Sequence, residues 1–110
     1  MRGAIFYTKR ESAEEMVEKL IHDYSSFASI SLRSKNRIEF DNGDSWNLVP
    51  AVFGHCGARY NIAYIERSVS EEYFYSIIMP SLFLRPYNAY RFFGEGDLCV
   101  SKLPRLPFER

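Results

Sequence analysis

Apolar and polar positions repeat along this chain with two periods, and the switches between them mark its elements. Ala4-Ile5-Phe6-Tyr7 is a short apolar, β-prone run that predicts a buried strand. Ala13, Met16, Val17, Leu20, Ile21 and Tyr24 then recur at helical spacing while Glu14, Glu18 and Lys19 point elsewhere. This predicts an amphipathic helix of about three turns laid on a core. Ser12, with Glu15 three residues on, has the form of a capping box and places the helix start there; Ser25-Ser26 marks its fraying end. Arg37-Ile38-Glu39-Phe40 alternates, Asp41-Asn42-Gly43-Asp44 turns, and Ser45 to Val49 returns. Asn-Gly between alternating segments predicts a hairpin whose two turn residues both adopt positive φ, and Pro50 ends the ladder because it has no N–H. Ser29 to Leu32 reads either as a short strand or as the approach to that hairpin.

After the loop Phe53-Gly54-His55-Cys56-Gly57-Ala58, Ile62 to Ile65 is a second buried strand. Ser70 caps a second helix, with Glu71 and Glu72 against the positive end of its dipole. Val69 and Phe74 are placed as a hydrophobic staple, and Ile77 and Ile78 continue the stripe until Pro80 kinks or ends the helix. Tyr87 to Phe93 alternates as a last strand. The order strand, helix, hairpin, strand, helix, strand predicts an α/β fold: a small mixed sheet of about five strands (β-α-β-β-β-α-β), parallel at its centre, with two main helices packed on it. Residues 1–103 are expected to form this single domain, and 104–110 a Pro-containing C-terminal tail.

Composition narrows function only by exclusion. The 110 residues suffice for one core. Fourteen basic and fourteen acidic residues cancel, so bulk charge gives no support to phosphate binding. Nine Phe and eight Tyr are a high aromatic content that either fills the core, the commoner fate of such rings, or forms an interface patch. Cys56 and Cys99 are far apart and read as reduced thiols in a cytoplasm. No leader and no long apolar run is visible, so no membrane is expected.

Ile38-Glu39-Phe40-Asp41-Asn42-Gly43-Asp44-Ser45 resembles the "apolar-x-Phe-x-Asn-Gly-Ser" hairpin of bacteriophage large-terminase ATPase domains. Gly57-Ala58-Arg59-Tyr60-Asn61 then stands where that family has a glycine loop with an Arg, and Ile62-Ala63-Tyr64-Ile65-Glu66 where it has the strand ending in the magnesium-binding acid. Ser70-Glu71-Glu72 to Pro80-Ser81-Leu82 is similar to the helix that follows. The likeness spans roughly residues 36–84 and implies a phage or prophage setting. Its departures carry chemical weight. Glu66 replaces the family's Asp as a degenerate Walker-B acid, and Arg67 stands where the family has its catalytic Glu. A guanidinium there opposes a divalent metal and accepts no proton from water. Gly3-Ala4-Ile5-Phe6-Tyr7-Thr8-Lys9-Arg10 has only the outline of a Walker A loop: Thr8 replaces its second glycine and Arg10 its hydroxyl residue.

Other chemistry is thin. His55-Cys56 and the distant His22 provide neither four zinc ligands nor an oriented nucleophile and base. Asp41 and Asp44 are explained by turn chemistry, and Asp97 likewise. No catalytic residue, metal or cofactor is expected. The leading expectation is a small non-enzymatic protein of phage type that binds another protein, regulating host machinery or countering defence. Trp46, Tyr73, Tyr75, Tyr87 and Tyr90 are its candidate surface, and a homodimer is a further form. The first alternative is nucleic-acid binding through Arg33, Lys35, Arg37, Arg59 and Arg67, the first three alternating on one strand face. The second is residual nucleotide binding at Glu66.

Overall fold

The first apolar run becomes the central strand of a six-stranded sheet. In this computed structural model, which describes residues 1–52, 59–82 and 90–94, β1 (Arg2–Tyr7) is buried from Gly3 onward. It lies parallel to a strand on each side: β4 (Ser45–Pro50), with Ile5 opposite Leu48, and β5 (Ile62–Glu66), with Ile5 opposite Tyr64. A strand covered on both faces needs apolar side chains at every position, which is why β1 is a continuous run. Beyond β5 lies the parallel β6 (Tyr90–Phe93). Beyond β4 lie the antiparallel β3 (Arg37–Phe40) and β2 (Ile30–Arg33), giving the order β2-β3-β4-β1-β5-β6. The mixed α/β sheet is therefore as expected, with one strand more, because the segment before the hairpin pairs with β3.

Successive side chains of β1 feed different layers. Ile5 and Tyr7 meet α1 (Arg10–Tyr24) through Ala13, Met16, Val17, Leu20 and Tyr24, together with Ile38, Phe40, Trp46 and Leu48. Ala4 and Phe6 face the other way, with Val49, Ala63 and Ile65, onto Tyr73, Phe74 and Ile78 of the second helix. That helix, α2, covers residues 71–81: α-helical over Glu71–Tyr73, π-helical over Phe74–Ile78 and α-helical again over Met79–Ser81. The chain passes from β1 through α1 toward β4 and from β5 through α2 toward β6, in opposite lateral directions. Right-handed crossovers then place the helices on opposite faces.

Several local expectations are met and some are corrected. Ser70 caps α2, its hydroxyl accepting from the Tyr73 amide, and Val69 and Phe74 are both fully buried in one cluster. Pro80 does not stop the helix. The π segment before it widens the turn, and Leu82 becomes extended only after Ser81. The hairpin turn has positive φ at Gly43 alone: the Gly43 amide bonds to the Phe40 carbonyl and the Phe40 amide to the Asp44 carbonyl. This is a type I turn closed by a left-handed glycine, not a pair of positive-φ residues. Ser12 does not start α1; the helix begins at Arg10, and Lys9 at its N-cap offers no side-chain hydrogen bond. The tail 104–110 and the start of the expected last strand, 87–89, lie outside the described residues.

Trp46 is a core residue, which corrects its assignment to an exposed surface. It is 3 % exposed, stacks on Tyr64 and donates from Nε1 to the Tyr24 hydroxyl at 3.2 Å. That hydroxyl in turn donates to Asp44 at 2.7 Å. Burial, then the Asp44 carboxylate, pushes the Tyr24 pKa up to about 12, so the phenol stays a donor throughout the physiological range. A Cβ built on Gly3 would overlap the Trp46 ring, so only glycine permits this packing. Trp46→Ala should therefore cost ~3–5 kcal/mol and Gly3→Ala ~1–3 kcal/mol, both read from urea unfolding. A Trp46→Ala protein of undiminished stability would contradict the packing.

Candidate functional site

In an open doubly wound sheet, ligands bind where neighbouring parallel strands send their helices in opposite directions, outside the strands' carboxyl ends. Here that point lies between β1 and β5. β1 ends at Tyr7 and α1 starts at Arg10, so only Thr8 and Lys9 form the turn. β5 ends beside them in Glu66, which is 2 % exposed.

The Glu66 side chain fills the crevice. Its Oε1 accepts from the Thr8 amide at 2.8 Å, the Lys9 amide at 3.0 Å and the Thr8 hydroxyl at 3.2 Å. The Ser12 hydroxyl, at the same helix start, also favours the charged carboxylate. Helix N-termini leave amides without an intrahelical acceptor and carry a partial positive charge. The Glu66 carboxylate lies at this positive end, accepting from the amides of Thr8 and Lys9, the two residues that lead into the helix. Burial alone would push the Glu66 pKa up, but the Lys9 and Thr8 amides and the Ser12 and Thr8 hydroxyls outweigh it and hold the carboxyl below its ordinary value. It is thus ionised at neutral pH and is a weak base. The Thr8 hydroxyl is also hydrogen-bonded to that of Ser68. β6 closes the site: the Arg67 amide donates to the Phe93 carbonyl at 2.9 Å, and Gly94, at φ +87°, lies where a Cβ would come within 3.1 Å of Glu66 Cγ.

The other candidate residues are not gathered here. Arg33 and Arg37 do not share a strand, because the turn between β2 and β3 separates them. Arg33 pairs with Glu18 at 2.8 Å, and Arg37 pairs with Glu39 at 2.6 Å and donates to Asn47. Arg33 and the exposed Lys35 line a cleft of about 360 Å³ against α1. Arg10 spans this cleft, bonding to Tyr7, Glu14, Asn36 and the Lys35 carbonyl. Arg59 is exposed and Arg67 half-buried next to Glu66. The basic set is thus dispersed and in part neutralised. Of the aromatic set, Tyr73 is 1 % exposed and joins Trp46 in the core; Phe6 packs edge-on against it. Tyr75 is 40 % exposed and Tyr90 half-buried, both against Phe74. Tyr87, His55, Cys56 and Asp97 lie outside the described residues. Asp41 accepts from the Ser29 amide and Asp44 from Tyr24, so both acids stabilise turns. Among the described residues no group of three or more His, Cys, Asp or Glu is placed to hold a metal ion, and no helix is long and apolar enough to cross a membrane.

Sequence reasoning placed Glu66 at a strand end but missed its partners. The available signal was the position of Thr8-Lys9, directly between an apolar strand and a helix, which in a parallel sheet lies at the same edge as the end of β5. Compared with protein-family models, curated proteins and solved structures, the chain matches none.

Glu66→Ala, which strands the Thr8 and Lys9 amides, should cost ~2–3 kcal/mol, and Glu66→Gln, which keeps an acceptor, ~1–2 kcal/mol. Because the folded-state pKa is lowered from 4.5, the charged form contributes fully above that value and its contribution is lost as pH falls through the folded pKa. Asp44, also lowered, against its own burial, by the Tyr24 hydroxyl and the Met1 amino group, adds a second acid-sensitive contribution. Urea unfolding from pH 7 to about 3 should therefore show a shallower acid loss in Glu66→Gln than in the parent, without abolishing it. Equal slopes would refute the role of the charge.

Proposed function

We propose that this protein acts by binding another protein and not by turning over a nucleotide. The observation that carries the reading is the Glu66 carboxylate on the Thr8 and Lys9 amides. In nucleotide hydrolases the amides of this turn cradle phosphate; here an internal anion takes them. The chain also carries apolar side chains on its surface. Phe27 is 64 % exposed and Ile30 38 %, both where α1 leads into β2, and Leu32, 44 % exposed, lies on the opposite side of the same edge strand. Adjacent exposed apolar residues of this kind mark interaction surfaces. The strip replaces Trp46 and Tyr73 as the binding face, and Tyr75 remains a second exposed ring.

A phage or prophage origin, and with it a host cytoplasm as the place of action, rests on the terminase resemblance of residues 36–84. Nucleic-acid binding ranks lower, because the basic candidates are dispersed over separate elements and do not form one face.

Calorimetric titration with magnesium and ATP should give no binding heat. Immobilised protein should retain a partner from host extract, and Phe27→Ser, at an unchanged melting temperature, should lose most of it. ATP turnover that disappears in Glu66→Gln would overturn the proposal.

A further inference from the structure

We infer that the β2 edge takes a second copy of this chain, the two β2 strands pairing antiparallel about a two-fold axis. This rests on reading the Phe27–Leu32 strip as a protein-binding surface and names its occupant. β2 is the outermost strand of the sheet and all four of its residues are exposed. Such an edge presents backbone donors and acceptors to whatever strand arrives.

Charge selects the arriving strand. Exposed Asp41 lies at the Ser29-Ile30 end of the edge, its carboxylate accepting from the Ser29 amide. Exposed Arg33 and Lys35 occupy the other end. The edge is thus acidic at its start and basic at its finish. An antiparallel copy of itself sets each acidic end against a basic one, whereas a parallel copy opposes like charges. The Arg33–Glu18 pair is exposed on both sides and costs little to rearrange. A net charge of zero adds no general repulsion.

The register follows from the bulge. Ile30 lies opposite Phe40 and Arg33 opposite Ile38, both on the α1 side, while the shift between Ile30 and Leu32 sets Leu32 opposite Glu39 on the other side. Pairing Ile30 with Arg33 of the second copy keeps the α1 layers of both copies on one side of a continuous sheet. A four-residue edge strand makes a small interface, so the dimer is weak and dependent on concentration.

Sedimentation equilibrium from about 1 to 200 μM should show reversible monomer–dimer behaviour. Leu32→Arg should weaken it at least about tenfold without lowering the melting temperature. The variants Arg33→Glu/Lys35→Glu and Asp41→Lys should each fail to self-associate, and their mixture should form a heterodimer. A protein monomeric throughout, or a dimer indifferent to these changes, would overturn the inference. If it is monomeric yet Phe27→Ser still loses the captured partner, the second copy fails while the protein-binding reading stands. If it dimerises as described but nothing is captured, the dimer stands and the reading of a separate partner fails.

Discussion

One hydrogen-bonded carboxylate fixes the geometry of the parallel half of the sheet. Glu66 is an ionised side chain in the interior, and an unpaired buried charge costs several kcal/mol. The Thr8-Lys9 turn at the positive end of α1 has the complementary need, amides that require an acceptor. Each deficit is met by the other, because Oε1 of Glu66 reaches both the Thr8 and the Lys9 amide. The contact joins the end of β5 to the turn between β1 and α1. Gly94, at φ +87°, brings β6 close over the acid, where a Cβ would lie 3.1 Å from Glu66 Cγ.

The same contact shapes the functional reading. A phosphate cradle needs a loop long enough to wrap the anion, with glycines that let its amides converge. The connection here is Thr8-Lys9, and its amides already hold a carboxylate. The acid at the end of β5 holds the turn that leads from β1 into α1. Away from this centre, Phe27 and, on the edge strand β2, Ile30 and Leu32 meet water, and the proposed binding surface lies there.

Much of the fold was legible because it depends on local pattern. The continuous apolar run of β1, the helical stripe from Ala13 to Tyr24, the Ser70 cap with its Val69–Phe74 staple and the Asn42-Gly43 hairpin all follow from periodicity and turn chemistry. What escaped depends on contacts distant in sequence. Ser12 and Glu15 match a capping box, but α1 starts at Arg10, and the Lys9 amide just before it is held by a residue 57 positions away. Trp46 has the composition of an interface residue, and only the bare backbone of Gly3 on the neighbouring strand makes room for it inside. Arg33, Lys35 and Arg37 alternate in sequence, yet a turn separates them. Ser29 to Leu32 left strand and approach segment undecided, because a four-residue edge strand exposed throughout has no burial pattern to betray it.

The account rests on a charged Glu66 held by amides, and carbon-detected NMR titration of its side-chain carboxyl measures this directly. The midpoint should fall below the 4.5 of an unperturbed glutamate, with the Thr8 and Lys9 amide resonances moving through the same transition. A midpoint above 4.5, with those two amides unresponsive, would show that burial governs the carboxyl and that the contact does not organise the fold.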